Sequence, residues 1–255
     1  MVKAKKHLGQ HFLRDLSIAE DIVNGLTLSE TADLIIEVGP GTGVLSQYLI
    51  KQYPKKLKLV EVDRESIAYL KKAYPHFQEH ILDQDLLKMD LGQLPEKNIC
   101  LIGNFPYNIS TQIIFKALEH RAKVIEVVGM FQKEVAERIA SPPGNKTYGI
   151  MSVLAQAYFK TEYLYTVDEH VFDPPPKVKS AIIRLTRYRD SIPNCDEKFL
   201  FRLVKLAFNQ RRKTLRNALK SILPEGFQSE VLQLRAERLS AEDFIELSRI
   251  LKDQV

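Results

Sequence analysis

The sequence predicts an α/β protein with a mostly parallel sheet, an antiparallel edge and a small C-terminal all-helical domain. From residue 33 to about residue 130, short β-branched segments alternate with helical ones, which is typical of a parallel sheet covered on both faces. Two later strand segments follow each other with no helix between them, and they predict the antiparallel edge. After residue 195 only helical periodicity is found.

The individual elements follow from apolar periodicity and from turn residues. The parallel strands are predicted at Leu34–Val38, Leu57–Val62, His80–Leu82, Asn98–Gly103 and Val124–Met130. The helices of the same part are predicted at 44–52, 64–73, 110–120, 131–140 and 149–157. The edge strands are predicted at Tyr158–Val167 and Val178–Tyr188.

The polar segment 190–194 contains Pro193 and predicts a domain boundary. Residues 1–190 would form the α/β domain, and residues 195–255 the helical one. In the first helix of the second domain, Lys198, Arg202 and Lys205 share a face opposite the apolar residues.

Composition and length are those of a globular enzyme of one or two domains, with 255 residues of which 45% are hydrophobic. No apolar run approaches the length of a membrane span, and no apolar segment follows the first lysines, so we expect no membrane segment and no secretory signal. Two cysteines, Cys100 and Cys195, do not make a disulfide framework. These features favour a cytoplasmic protein.

Basic residues are concentrated in two blocks, 1–14 and 198–220, which hold 12 of the 37 basic residues and none of the 32 acidic ones. Such blocks favour a polyanion as partner, because each neutralised phosphate releases counterions. A solvated helix face with a disordered arm is the open alternative. The candidate RNA-binding residues are Lys3, Lys5, Lys6, Arg211, Arg212, Lys213 and Arg216.

A glycine-rich turn, Gly39 to Gly43, follows the first predicted strand and opens the first helix. Such a turn brings backbone N–H groups up to a bound cofactor. The dinucleotide pattern fails because its third glycine position holds Val44, whereas E-x-G-x-G-x-G, beginning at Glu37, is the pattern of S-adenosylmethionine enzymes. Glu61 lies at the end of the second strand and would accept hydrogen bonds from ribose, and Asp85 follows the third strand and would accept one from adenine.

The fourth strand ends in Asn104-Phe105-Pro106-Tyr107. The exocyclic amine of adenine is a poor nucleophile, because its lone pair is delocalised into the ring. Acceptors on the Asn104 side chain and the Pro106 carbonyl would hold the amine hydrogens and aim the nitrogen at a methyl sulfonium. Tyr107 offers a face on which a flipped-out base can stack.

The sequence resembles the small-subunit ribosomal RNA adenine dimethyltransferases of the KsgA type, which have a Rossmann-like S-adenosylmethionine domain. The resemblance covers nearly the whole chain. It is carried by GQHFL at 9–13, EVGPGTGVL at 37–45, VEVD at 60–63, GNFPYNIS at 103–110, NKTYG at 145–149, VFDPPPKVKSA at 171–181 and FNQRRKTLRNAL at 208–219.

The resemblance implies roles for individual residues. His11, which stands where the family usually has Asn, and Leu13 would lie over the cofactor. The other implied cofactor-binding residues are Gly39, Gly41, Glu61, Asp85 and Asn104. The target adenine would be held by Asn104, Phe105, Pro106, Tyr107 and Phe172. Phe105 replaces the more frequent Leu, and Phe172 matches an aromatic that closes over the base.

The function that the resemblance implies is dimethylation of N6 of two adjacent adenosines near the 3′ end of 16S ribosomal RNA, within the small subunit. We expect S-adenosylmethionine as cofactor, no metal, and a monomer that participates in ribosome biogenesis. Three alternatives stay open: a macrolide-resistance-type methyltransferase of large-subunit RNA, a non-catalytic ribosome-assembly factor on this scaffold, and a nicotinamide dehydrogenase. Metal binding by His7 and His11 has no third ligand in support.

Overall fold

The computed structural model describes residues 2, 4–5 and 8–252. Its strands, in chain order, are β1 Phe12–Leu13, β2 Leu34–Val38, β3 Leu57–Glu61, β4 Ile81–Asp83, β5 Ile99–Asn104, β6 Val124–Gln132, β7 Phe159–Val167, β8 Phe172–Asp173 and β9 Ser180–Arg187. Seven of them form one sheet in the order β4-β3-β2-β5-β6-β9-β7. The remaining two, β1 and β8, pair with each other.

The central sheet confirms the predicted fold class. β4, β3, β2, β5 and β6 run parallel, and β6 pairs with β9 in antiparallel register from Glu126↔Thr186 to Gln132↔Ser180. All five residues of β2 are buried, as expected for a parallel strand that is covered on both faces. This burial explains why apolar runs were sufficient to predict the strands.

The helices are α1 Leu16–Asn24, α2 Ser46–Gln52, α3 Arg64–Ala73, α4 Ser110–Glu119, α5 Lys133–Ala140, α6 Ile150–Gln156, α7 Glu197–Asn209, α8 Leu215–Ala218 and α9 Ala241–Lys252. Aspartates cap α1, α3 and α7, where Asp15, Asp63 and Asp196 accept hydrogen bonds from the first free backbone N–H groups. Helix α1 was not predicted, although Ala19, Ile22 and Val23 form its buried face.

The first compact unit contains residues 1–136 and 162–187, and the second contains residues 137–161 and 188–255. The junction at residue 187 is close to the predicted boundary. In contrast to the predicted division, residues 137–161 belong with the C-terminal residues, because α6 contacts α7 and α9. Rings of Tyr148, Phe208 and Phe244 pack together in the core of this second unit.

No helix among the described residues is both long and apolar enough to cross a bilayer. In the same part of the chain, no group of three or more His, Cys, Asp or Glu side chains is placed to hold a metal ion.

Candidate active site

A cleft opens in the first unit at the carboxyl ends of β2, β3 and β5. Because β3 and β5 flank β2 on opposite sides, the chain order reverses at this point, where open α/β sheets bind their ligands. The space within the cleft is about 1120 Å³, part of which is open to solvent. Residues 8–13, which we call the arm, line the cleft together with the strand ends.

The glycine-rich turn follows β2 with positive φ angles of 65° at Gly39, 55° at Gly41 and 81° at Gly43. Only glycine adopts this conformation without strain. A Cβ on Gly41 would lie 2.9 Å from the Phe12 ring, and a Cβ on Gly39 would lie 3.4 Å from Pro106. The backbone of the turn therefore lies directly beside the Phe12 ring of the arm and Pro106, which follows β5.

Glu61 is buried at the end of β3 and accepts three backbone hydrogen bonds. Its Oε1 accepts from Val62 and Asp63 at 2.8 and 2.9 Å, and its Oε2 accepts from Gly41 at 3.0 Å. Burial is the main cause that raises the pKa of this carboxyl. The three hydrogen bonds oppose this rise, because they stabilise the charged form. A carboxylate has about four acceptor positions, so Oε2 keeps one for a ribose hydroxyl.

The residues of the cleft fit S-adenosylmethionine. Beside the Glu61 acceptor, the exposed Val62 gives an apolar surface for an adenine ring. Asp85 follows β4, and its Oδ1 accepts from the Leu87 N–H at 3.0 Å, while its Oδ2 lies 3.7 Å from the Lys88 ammonium. A carboxylate oxygen has two lone pairs, so Oδ2 could still accept from an adenine amino group. The glycine turn lines the same cleft and would lie against the methionine part.

A second buried carboxyl, Glu37, lies at the end of β2 and accepts a hydrogen bond of 2.7 Å from Ser46. Burial is the largest cause that raises its pKa from 4.5 to about 8; the hydrogen bond from Ser46 opposes this rise and the nearby Glu61 adds to it. The folded protein therefore holds this proton more tightly than the unfolded chain does.

Replacing Glu37 by glutamine is expected to remove a pH dependence of stability. The contribution of the protonated carboxyl is complete below its unfolded pKa of 4.5 and is lost as the pH rises through about 8. The wild type should lose up to about 1.4 kcal/mol per pH unit in this window. Melting temperatures at pH 5, 6, 7 and 8 measure the difference, with Glu79→Gln on the surface as control. If the melting temperatures of wild type and Glu37→Gln changed with pH in the same way, the raised pKa of Glu37 would not be the cause of the pH dependence.

Asn104 ends β5, and its Nδ2 donates a hydrogen bond of 3.0 Å to the backbone oxygen of His11 in the arm. A backbone carbonyl can only accept, so this bond determines which way the amide points. Oδ1 is left as an acceptor for a substrate amine, as the predicted chemistry requires.

The next residues form a turn in which the Pro106 carbonyl accepts from the Ile109 N–H at 3.1 Å. One lone pair of this oxygen therefore stays available. The Tyr107 hydroxyl shares a hydrogen bond of 2.5 Å with Ser180, and its ring stacks on His11 with centroids 5.2 Å apart. Burial raises the pKa of the Tyr107 hydroxyl.

Phe105 is buried and packs its ring edge-on against Phe131. The ring occupies space above Gly103 and Gly129, which pair across β5 and β6. A Cβ on Gly129 would lie 2.5 Å from the Phe105 ring. The Phe105 side chain is thus part of the core.

The structure does not place Phe172 in the lining of the cleft. Phe172 lies on β8 opposite Leu13 of β1 and belongs to the hydrophobic core of the first unit. Leu13 lines the cleft. His11 lines it too, and its Nδ1 donates a hydrogen bond of 2.7 Å to the Pro174 carbonyl.

The predicted RNA-binding residues have different surroundings. Lys5 forms an ion pair with the buried Asp63 and a second one with Glu65, and the Asp63 hydrogen bond raises the pKa of Lys5. This amine is therefore engaged within the first unit. Lys3 and Lys6 lie outside the described residues, as does His7.

In the second unit, Arg211, Arg212 and Lys213 form the exposed turn between α7 and α8 instead of a helix face. Arg211 donates to the Lys146 carbonyl at 2.8 Å, and Arg216 donates to Gln228 at 2.9 Å. The side chains of Arg212 and Lys213 make no hydrogen bond or ion pair with the described residues.

Sequence reasoning missed Ser180, Asp63 and the partner of Asn104. Ser180 lies within a segment that carried the family resemblance, but its contact with Tyr107 spans 73 positions. Nothing local in the sequence indicates such a pair. The hydrogen bond from Asn104 to His11 spans 93 positions in the same way.

Known proteins resemble this chain over nearly its whole length. A family described as "Ribosomal RNA adenine dimethylase" matches residues 1–253. The ribosomal RNA small subunit methyltransferase A of Cytophaga hutchinsonii is 55% identical over 98% of both chains. The protein of the same name from Bacteroides thetaiotaomicron is 53% identical over 99% of this chain and 96% of its own.

Solved structures have the same fold. A dimethyladenosine transferase from Plasmodium falciparum has a TM-score of 0.78 and 24% identity, and covers 96% of this chain and 98% of its own. The 23S rRNA methyltransferase ErmE has a TM-score of 0.68 and 23% identity, over 93% and 99%. The family match and the relatives that cover nearly the whole chain show the family of this protein, and the cleft agrees with them. This chain belongs to the ribosomal RNA adenine dimethylase family of S-adenosylmethionine-dependent methyltransferases.

Proposed function

We propose that this protein transfers methyl groups to N6 of two adjacent adenosines near the 3′ end of 16S ribosomal RNA, within the small ribosomal subunit. The product would be N6,N6-dimethyladenosine, and the step would belong to ribosome biogenesis in the cytoplasm. The observation that carries the proposal is the Asn104 amide, whose oxygen is left free at the strand end beside the cofactor cleft. Relatives named for the small subunit at 52–55% identity favour this RNA over the large subunit.

The chain's own residues would act by placement. Asn104 Oδ1 and the Pro106 carbonyl accept the two amine hydrogens, and the Tyr107 ring supports the base. S-adenosylmethionine, when bound, supplies a methyl group on a positively charged sulfur. Held in this way, the amine nitrogen would direct its electron pair at that methyl carbon, and it would release one proton to solvent on transfer. The site must also admit the monomethylated amine for the second transfer.

The protein would act as a monomer. Its second unit would hold the RNA through phosphate contacts, which position the target and carry little sequence information. The turn at residues 211–213 supports this role, because two of its cations have no protein partner among the described residues and are exposed. Arg211 has a structural task as well, since it holds the loop that contains Lys146. A test of RNA binding should therefore leave Arg211 in place.

The double variant Arg212→Ala/Lys213→Ala is expected to weaken RNA binding and to flatten its dependence on salt. Each lost phosphate contact lowers the slope of log K against log salt by about 0.7 to 0.9, so two contacts lower it by about 1.4 to 1.8. Binding to small subunits is measured over a salt series. Lys71→Ala/Lys72→Ala on α3 removes the same charge as a control. An unchanged salt slope in Arg212→Ala/Lys213→Ala would mean that these two side chains contact only solvent and not the RNA.

The experiment that tests the function is a methyl-transfer assay on purified small and large subunits that lack these modifications. Digested nucleosides are identified by mass spectrometry. Dimethyladenosine from the small subunit alone supports the proposal, whereas product from the large subunit alone would place the protein with the macrolide-resistance enzymes. No product from either, with S-adenosylmethionine still bound, would favour the non-catalytic assembly factor.

A further inference from the structure

Tyr107 is held at its hydroxyl end by a residue of a different strand. The first residue of β9, Ser180, is fully buried and shares the 2.5 Å hydrogen bond with the Tyr107 hydroxyl. In the sheet, Asn104 pairs with Met130 of β6, and two residues farther along β6 Gln132 pairs with Ser180. Asn104, which would accept from the substrate amine, and Ser180, which anchors the Tyr107 ring, are therefore both positioned by β6.

The ring of Tyr107 has a second support in the arm. His11 stacks on it with an angle of 29° between the two planes, and the His11 carbonyl is the group that orients Asn104. With the hydroxyl on Ser180 and the ring against His11, Tyr107 has little freedom to tilt. The plane of the ring is thus defined relative to Asn104 Oδ1.

The two methyl transfers of the proposed function make different demands on this ring. In the first, the substrate amine has two hydrogens, and two acceptors can hold it. In the second, the monomethylated amine has one hydrogen, so one of these hydrogen bonds is gone. The position of the base then depends more strongly on the surface against which it stacks.

Resting on the proposed function, we propose that Ser180 is a positioning residue that fixes the plane of the Tyr107 ring and thereby supports the second methyl transfer. Ser180 is not among the residues that line the cleft, so it would act through Tyr107. Losing its hydroxyl should slow the second transfer more than the first, so that monomethyladenosine accumulates.

The test compares Ser180→Ala, Tyr107→Phe and the double variant, because each removes the same hydrogen bond from a different side. Single-turnover reactions on unmodified small subunits give the rate constants for mono- and dimethyladenosine, and calorimetry gives the affinity for S-adenosylmethionine. We expect the second rate constant to fall about tenfold, the scale of one hydrogen bond, while the first falls less than about threefold. The double variant should resemble either single variant.

Ser248→Ala, which changes a fully buried serine of the second unit, is the matched control and should keep the wild-type product ratio. Equal slowing of both transfers, an unchanged ratio, or additive effects in the double variant would overturn the role of Ser180. Failure of the proposed function is distinguishable, since the wild type would then form no dimethyladenosine on small subunits at all.

Discussion

Replacing Asn104 by alanine is expected to reduce methyl transfer about 100- to 1000-fold, which is the usual effect of removing one preorganised hydrogen bond at a reacting group. The side chain supplies the acceptor that holds the amine, and its orientation is set by the hydrogen bond to the His11 carbonyl. Single-turnover rates on small subunits measure the loss. Because Glu61, Asp85 and the glycine turn are untouched, affinity for S-adenosylmethionine should fall much less.

Asn104→Asp separates the two functions of this amide. The variant keeps an acceptor but has no N–H to donate to the His11 carbonyl, so two acceptors face each other and the side chain must turn away. We expect it to be nearly as slow as Asn104→Ala. Wild-type turnover in Asn104→Asp would mean that the arm does not orient the catalytic amide. Wild-type turnover in Asn104→Ala would contradict the mechanism itself.

Glu126→Ala is expected to give the largest loss of stability. Glu126 is fully buried on β6, and its carboxylate accepts hydrogen bonds from both the N–H and the hydroxyl of Thr27 and from the Leu28 N–H, at 2.5 to 3.2 Å. Each donor that loses its partner costs about 1–3 kcal/mol when it stays away from water. A total near 3 kcal/mol should lower the melting temperature by roughly 6–12 °C.

Thr27→Val is the matched control for Glu126→Ala, because it removes one donor and leaves the carboxylate with its backbone partners. We expect a loss of about 1 kcal/mol from it. Thermal unfolding followed by circular dichroism measures both variants. A Glu126→Ala protein that melts within about 1 °C of wild type would mean that the segment after α1 finds other partners at little cost.

Much of the sheet was predictable, because the information is local. Leu34–Val38 is found with the predicted bounds, and the other central strands differ by one or two residues at their ends. Such strands are apolar runs buried on both faces, and the glycines after β2 have the positive φ angles that their pattern indicates. By contrast, β1 and β8 have two residues each and pair across about 160 positions, so no periodicity marks them.

In the site, the sequence by itself determined which chemical groups stand at the strand ends. Asn104, Glu61 and the glycine turn meet in one cleft because parallel strands present their carboxyl ends at the same edge. The role expected of Phe172 from the resemblance is not visible in this structure, since its ring packs in the core.

Only the tertiary structure decided how these groups are oriented and which charges are free. It joined the Asn104 amide to the arm, Tyr107 to Ser180, and Lys5 to Asp63 instead of solvent. Each of these contacts links residues more than 50 positions apart. Directional hydrogen bonds and ion pairs depend on distances of a few ångströms between such residues, and no local pattern of residue types encodes those distances.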